Sequence, residues 1–106
     1  MEEEKFLEIR ALMCLNHQDV TEGKMMSSPA IHYQGKVFAF FSKKQKMVFK
    51  FGNQYPMEEL EVSYAPFNPF KTKKPLTGWY EIDYEHHLKW KVFTELALRL
   101  ARKDLR

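Results

Sequence analysis

Apolar residues near the start of the chain recur with the period of a helix. Phe6, Ile9 and Met13 follow one another at three and four residues, Asn16 continues the rhythm as its one polar member, and Leu12 and Leu15 widen the stripe. This spacing predicts an amphipathic helix from Glu2 to about His17. Glu2, Glu3 and Glu4 fall in its first turn, where negative charge suits the positive end of the helix dipole. A polar stretch follows through Gly23, and the period then changes to two. Ser28–Tyr33, Lys36–Phe41 and Lys46–Phe51 read as three consecutive antiparallel strands, joined by a two-residue turn at Gln34-Gly35 and a longer one over Ser42–Gln45. Alternation sends Val37, Ala39 and Phe41 to one face of the second strand and Phe38 and Phe40 to the other, so this strand is expected to be central and covered on both sides. The third strand sets Met47, Phe49 and Phe51 against Lys46, Val48 and Lys50, which gives it one core face and one wetter face.

Pro56 opens a short helical segment over Met57 to about Tyr64, since proline is tolerated in a first helical turn. Three prolines in Pro66–Pro75 make that stretch a loop rather than a central strand. Leu76–Ile82 reads as a fourth strand, with Gly78 permitting a bulge or a close backbone approach. From Asp83, a credible N-cap, a last helix runs to about Lys103. Trp90, Phe93, Ala97, Leu100 and Ala101 form its stripe, and Leu88, Val92 and Leu96 lie beside it. Helices and strands are segregated along the chain, which predicts an α+β class fold: a single two-layer domain over residues 1–106, in the order helix, three strands, short helix, strand, long helix.

With 106 residues, 15% of them aromatic, the chain is long enough for one core. There is no internal repeat and no linker at which to divide it. Its longest apolar run, Val37–Phe41, is far short of a membrane span, and the acidic start MEEEKF is unlike a secretory signal; a cytoplasmic protein is the expectation. Cys14 stands alone, so neither an internal disulfide nor a cysteine zinc site exists in this chain.

The net charge of +3 conceals an asymmetry: residues 1–22 carry −4, residues 23–74 carry +6 and residues 75–106 carry +1. The middle third holds two lysine clusters. Lys43, Lys44 and Lys46 lie at or beside a hairpin tip, and Lys71, Lys73 and Lys74 lie in the proline-rich loop. Such clusters suit sequence-tolerant, salt-dependent contact with DNA phosphates, and equally serve to blunt exposed turns against aggregation. No residue set has the spacing of a catalytic triad or a phosphate-cradling loop, so no catalytic residue and no cofactor is assigned and an enzyme is not expected. His86 and His87 are adjacent and point about 100° apart on a helix, which is poor geometry for one ion, and no metal is assigned. A second reading is a protein-interaction or small-ligand domain with a cleft between the last helix and the sheet, rimmed by the proline-rich loop, with Phe67, Phe70 and Trp79 as candidate lining residues. Symmetric dimers are the commonest assembly for small domains, and the sequence assigns no interface to one.

The stretch PAIHYQGKVFAFF, the MVFKF strand, the PFNPF loop and GWYEID leading into a helix with Trp90 and Ala97 resemble the TfoX N-terminal-domain-like and MmcQ/YjbR-like group of small bacterial proteins, from about Phe6 to Ala101. The resemblance implies an α+β fold, sometimes described as a double-wing arrangement, in a bacterial cytoplasmic domain of regulatory or DNA-binding type. The wings would correspond to the turns at Gln34-Gly35 and Ser42–Gln45.

Overall fold

Residues 1–68 and 75–104 are described by the computed structural model, with only the backbone of Asp104. The chain is an α+β domain. Helix α1 (Glu2–Asn16) is followed by strands β1 (Val20–Met25), β2 (Ser28–Tyr33), β3 (Lys36–Phe41) and β4 (Met47–Lys50), a 3₁₀ turn at Met57–Leu60, strands β5 (Ala65–Pro66) and β6 (Trp79–Ile82), a 3₁₀ segment Tyr84–Lys89, and helix α2 (Trp90–Asp104). All six strands form one antiparallel sheet in the order β1-β2-β3-β4-β6-β5.

Two strands beyond the expected four are present. β5 is a two-residue bridge. β1 occupies the stretch read from sequence as polar, because an edge strand covered on one face keeps few apolar positions: only Val20 of its six residues is buried. Its hairpin to β2 turns on Met26 and Ser27, whose φ angles of 50° and 71° are left-handed. A two-residue hairpin needs that conformation, but these residue types do not announce it.

Both helices lie on one face of the sheet. Phe6, Ile9 and Met13 of α1, Val20, Ile31 and Tyr33 of β1 and β2, Phe41, Met47, Phe49 and Ile82 of the central strands, and Trp90, Phe93, Ala97 and Leu98 of α2 form the main core. Trp90 is fully buried and donates its Nε1–H to the Asp83 carbonyl at 3.2 Å. That bond satisfies the one polar atom such a large side chain brings inside.

The sheet departs from simple alternation at one residue. β2 pairs Ile31 with Ala39 and His32 with Val37, so Phe38 is an extra residue on β3, a β-bulge. At a bulge two successive side chains share a face. Phe38 therefore joins Ala39 and Phe41 in the main core, while Phe40 and Val37 face the other way. On that second face Ala30, Phe40 and Val48 form a small cluster with Met25, Val37, Phe67 and Trp79 against it, and no helix covers it among the described residues.

The helix expectations need three corrections. Leu15 of α1 is 81% exposed, since two residues turn it about 200° from Met13 and away from the sheet. The segment Tyr84–Lys89 is 3₁₀ with a break at His86 (φ −105°, ψ 26°), so Leu88 loses register with the α2 stripe and is 81% exposed; Val92 beyond it is exposed too. The helical segment at Met57 ends at Leu60, because Glu61 turns left-handed at φ 56°. Asp83 does cap, with its Oδ1 accepting the Glu85 N–H at 3.1 Å.

Gly23 on β1 is a close-approach position. A Cβ built there would collide with Nε2 of His32, whose ring covers the glycine from β2. Gly23→Ala should therefore cost about 1–3 kcal/mol through displacement of that ring. Adding His32→Ala should remove most of the penalty. Denaturant titration of the two single variants and the double variant checks this; additive losses would show that the ring is not what the methyl meets.

Candidate functional site: a lysine-rimmed cleft at the end of the sheet

The bulge at Phe38 shapes a cleft among the described residues. Pairing between β3 and β4 runs from Phe41–Met47 to Ala39–Phe49 and stops there. Beyond that point β4 follows its other neighbour: the N–H groups of Phe51 and Gly52 both donate to the Gly78 carbonyl, at 3.0 and 3.1 Å. Gly78 can serve there because it has φ of 86° and meets Gly52 so closely that a Cβ on it would lie 3.0 Å from the Gly52 Cα. The start of β3 and the end of β4 are thus released from each other. A cleft of about 180 Å³ opens between them, roofed by the last turns of α2 and lined by Tyr33, Lys36, Val37, Lys50, Phe51, Gly52, Leu100, Ala101 and Lys103.

The lining is cationic and apolar together. It holds three lysines, all exposed, and no carboxylate among its described side chains. Lys103 also suits the C-terminal end of a helix on dipole grounds. Lys36 and Lys50 sit on strands, where no such account applies. Lys50 extends over the Trp79 ring at 5.9 Å, a contact that holds its ammonium on the sheet face away from α2. At roughly 30 Å³ per water the cleft equals about six water molecules, and it is smaller than the ~300–1,000 Å³ of a drug-sized pocket. It fits a single-ring carboxylate or phosphate ester rather than a whole nucleotide.

Polar contacts over long sequence separation fix the roof. His17 Nε2 lies 3.1 Å from Glu95 Oε1, while Arg102 reaches both His17 Nδ1 at 3.2 Å and Asp19 Oδ1 at 3.1 Å. Since a guanidinium only donates, His17 Nδ1 accepts and Nε2 carries the proton given to Glu95. Arg102 also lies 5.8 Å from the centre of the Tyr33 ring, which forms one wall of the cleft. The Arg102 hydrogen bond holds the Asp19 carboxyl below its ordinary range.

The residues singled out from the sequence fall elsewhere. Lys43 and Lys44 are exposed on the β3–β4 turn, at the end of β3 opposite the cleft. Lys46 is drawn back to the sheet, 3.6 Å from Glu81, a buried carboxylate that needs a partner. Phe67 and Trp79 pack on Phe40 at ring-centre distances of 5.1 and 5.7 Å, on the face away from α2. Trp79 also borders a shallow depression with Asn53, Pro66, Pro75 and Leu76. Phe70, Lys71, Lys73 and Lys74 lie outside the described residues.

His86 and His87 are engaged in local structure. His86 Nε2 accepts the Ser63 N–H at 3.2 Å, and His87 stacks on Tyr84 and contacts its carbonyl. Asp83, Glu85 and His86 bring donor atoms within 4.8 Å of one another, but the Asp83 cap and the Ser63 bond already use atoms that a cation would need. The sequence reading lined its expected cleft with Phe67, Phe70 and Trp79 and passed over Lys36, Lys50 and Lys103, because these are far apart in the chain and come near one another only where the strands part.

No family model matches the chain, and neither a curated protein nor a solved structure matches it. No helix among the described residues is long and apolar enough to cross a membrane.

The Asp19–Arg102 pair gives a pH dependence with a definite sign. Because the folded-state pKa is lowered, its stabilisation is complete above the unfolded carboxyl value and is lost as pH falls through the lower folded value. The pair is partly exposed, so the effect should be no more than about 0.2–1 kcal/mol. Thermal melts of wild type and Asp19→Asn should differ at neutral pH and converge in acid below the usual carboxylate range; a constant difference down to that range would assign the effect to another group.

Proposed function

We propose that this protein is a non-catalytic binding module for a small organic anion, held in the cleft between the released ends of β3 and β4 and the last turns of α2. The observation that carries this reading is the lining: Lys36 and Lys103 around apolar walls from Tyr33, Val37, Phe51 and Leu100, with Lys50 at the strand end holding its ammonium over Trp79, and no opposing carboxylate among the described side chains. Cations unpaired within a cleft favour an anion, and the apolar walls favour one with a hydrocarbon or aromatic body. None of the four histidines lines the cleft, which supports binding rather than proton transfer. Kinship with the TfoX and MmcQ/YjbR-like group, a regulatory role and a cytoplasmic location belong to the same proposal. They rest on the sequence resemblance.

Benzoate and phenyl phosphate are suitable probes, followed by amide chemical shifts. Saturable shifts should concentrate at Lys36, Val37, Phe51, Gly52, Leu100 and Ala101. The Lys36→Ala/Lys103→Ala variant should weaken binding at least about tenfold, the scale of losing one charge-assisted hydrogen bond. Shifts spread evenly over the surface, or an unchanged affinity in the variant, would sink the reading.

DNA contact by the β3–β4 turn is a second reading, favoured by Lys43 and Lys44 standing exposed with no carboxylate in ion-pair range among the described residues. It is sequence-tolerant and uses few phosphates. Binding to short mixed-sequence DNA should then weaken linearly on a log–log salt plot, with a slope of about −0.9 per phosphate neutralised, and Lys43→Ala/Lys44→Ala should flatten that slope. Absence of binding at low salt rejects it.

A further inference from the structure

β1 is the outermost strand on one side of the sheet, and its outer edge has no strand partner among the described residues. The direction of its free groups follows from the hairpin. Met25 and Ser28 flank a two-residue turn and form the first pair of the ladder, so they exchange both hydrogen bonds. Alternation then turns the N–H and C=O groups of Gly23 and Thr21 toward β2, and those of Glu22 and Lys24 outward. The bond from Gln34 N–H to the Asp19 carbonyl has the same parity. Natural sheets blunt such edges with charged side chains, proline, a bulge or a covering segment, and of these devices β1 itself carries only the charges of Glu22 and Lys24. β1 has no proline, and its register to β2 runs unbroken from Val20 to Met25.

We propose that β1 is a dimerisation edge, pairing antiparallel with β1 of a second copy about a two-fold axis at Gly23, so that two sheets become one of twelve strands. This surface is separate from the cleft, and its test is independent of the proposed function. Only outward-facing residues can exchange hydrogen bonds across the seam, which restricts the central registers to those centred on Glu22, Gly23 or Lys24. Centring on Glu22 sets it against its own copy, and centring on Lys24 does the same for the lysine. Centring on Gly23 places Glu22 opposite the partner's Lys24 twice, with four backbone hydrogen bonds between those residues. Opposite charges in directly facing positions stabilise a pair, and like charges oppose it.

Two features at the edge fit this axis. Gly23 faces its own copy as a non-hydrogen-bonded pair, where backbones approach to about 4.5 Å between Cα atoms. The His32 ring lies over Gly23, with Nε2 buried and without a hydrogen-bond partner among the described residues. Above the seam, Arg10 of α1 reaches Glu22 at 3.8 Å, which sets the Arg10 side of the helix over this edge. Leu7, one turn before Arg10 and 39% exposed, comes toward the partner's α1 under the same two-fold.

Sedimentation equilibrium from micromolar to near-millimolar protein, at low salt, provides the test. The wild type should be a monomer–dimer system. Lys24→Glu places acid against acid at both contacts and should weaken the dimer by about tenfold or more. The swap Glu22→Lys/Lys24→Glu recreates both pairs and should restore it. Both positions are exposed, and melting curves confirm that each variant folds. In concentrated wild type the amides of Glu22 and Lys24 should become protected from hydrogen exchange; in Lys24→Glu at equal concentration they should not. A monomer at every concentration, a dimer insensitive to Lys24→Glu, a swap that fails to restore association, or unchanged exchange at residues 22 and 24 would each overturn the proposal.

Discussion

One extra residue on β3 governs much of this molecule. By inserting Phe38 opposite the Ile31–His32 step, the chain puts two successive side chains, Phe38 and Ala39, under the helices. The local gain is a fully buried aromatic ring on the core face. The cost is a broken register: beyond Ala39 the ladder to β4 ends, and β4 turns to Gly78 for its last hydrogen bonds. The same insertion thus fills the core and opens the cleft. A strictly alternating β3 would have sent Phe38 to the uncovered face and left no reason for the two strands to part.

The two faces of the sheet are held by different physics. Under the helices, burial of Phe6, Phe38, Phe49, Ile82 and Trp90 is complete, and the contribution is that of apolar area removed from water. On the other face the apolar cluster is small, and polar devices accompany it: Lys46 neutralises Glu81, and Lys50 lies over Trp79. Those two lysines are the wet-face residues expected from alternation in the third predicted strand. Their work is structural as much as electrostatic, because each covers a group that would otherwise meet water or stay unpaired.

Much of the fold was legible in the chain. The helix around Phe6, Ile9 and Met13, the three strands between Ser28 and Lys50, the Gln34-Gly35 turn, the Asp83 cap and the stripe led by Trp90 all follow from period and turn chemistry. What stayed hidden had physical causes. β1 is polar because it is an edge, and its turn uses Met26 and Ser27 in a conformation that usually calls for Gly or Asn. The bulge was invisible because VFAFF is apolar at every position, so no polar residue marks the change of face. The cleft lining was hidden for the same reason, since it depends on where the ladder stops.

The links from His17 and Asp19 to Glu95 and Arg102 join residues 78 to 85 positions apart. Contacts so distant require closure of nearly the whole chain, and topology of that kind slows folding. During synthesis the hairpins from β1 to β4 emerge with their own local partners, whereas Phe6, Ile9 and Met13 have no lid until Trp90 and Phe93 leave the ribosome. The apolar face of the nascent sheet therefore stays open to other chains until α2 is made, and that helix sets the moment at which this core becomes safe from aggregation.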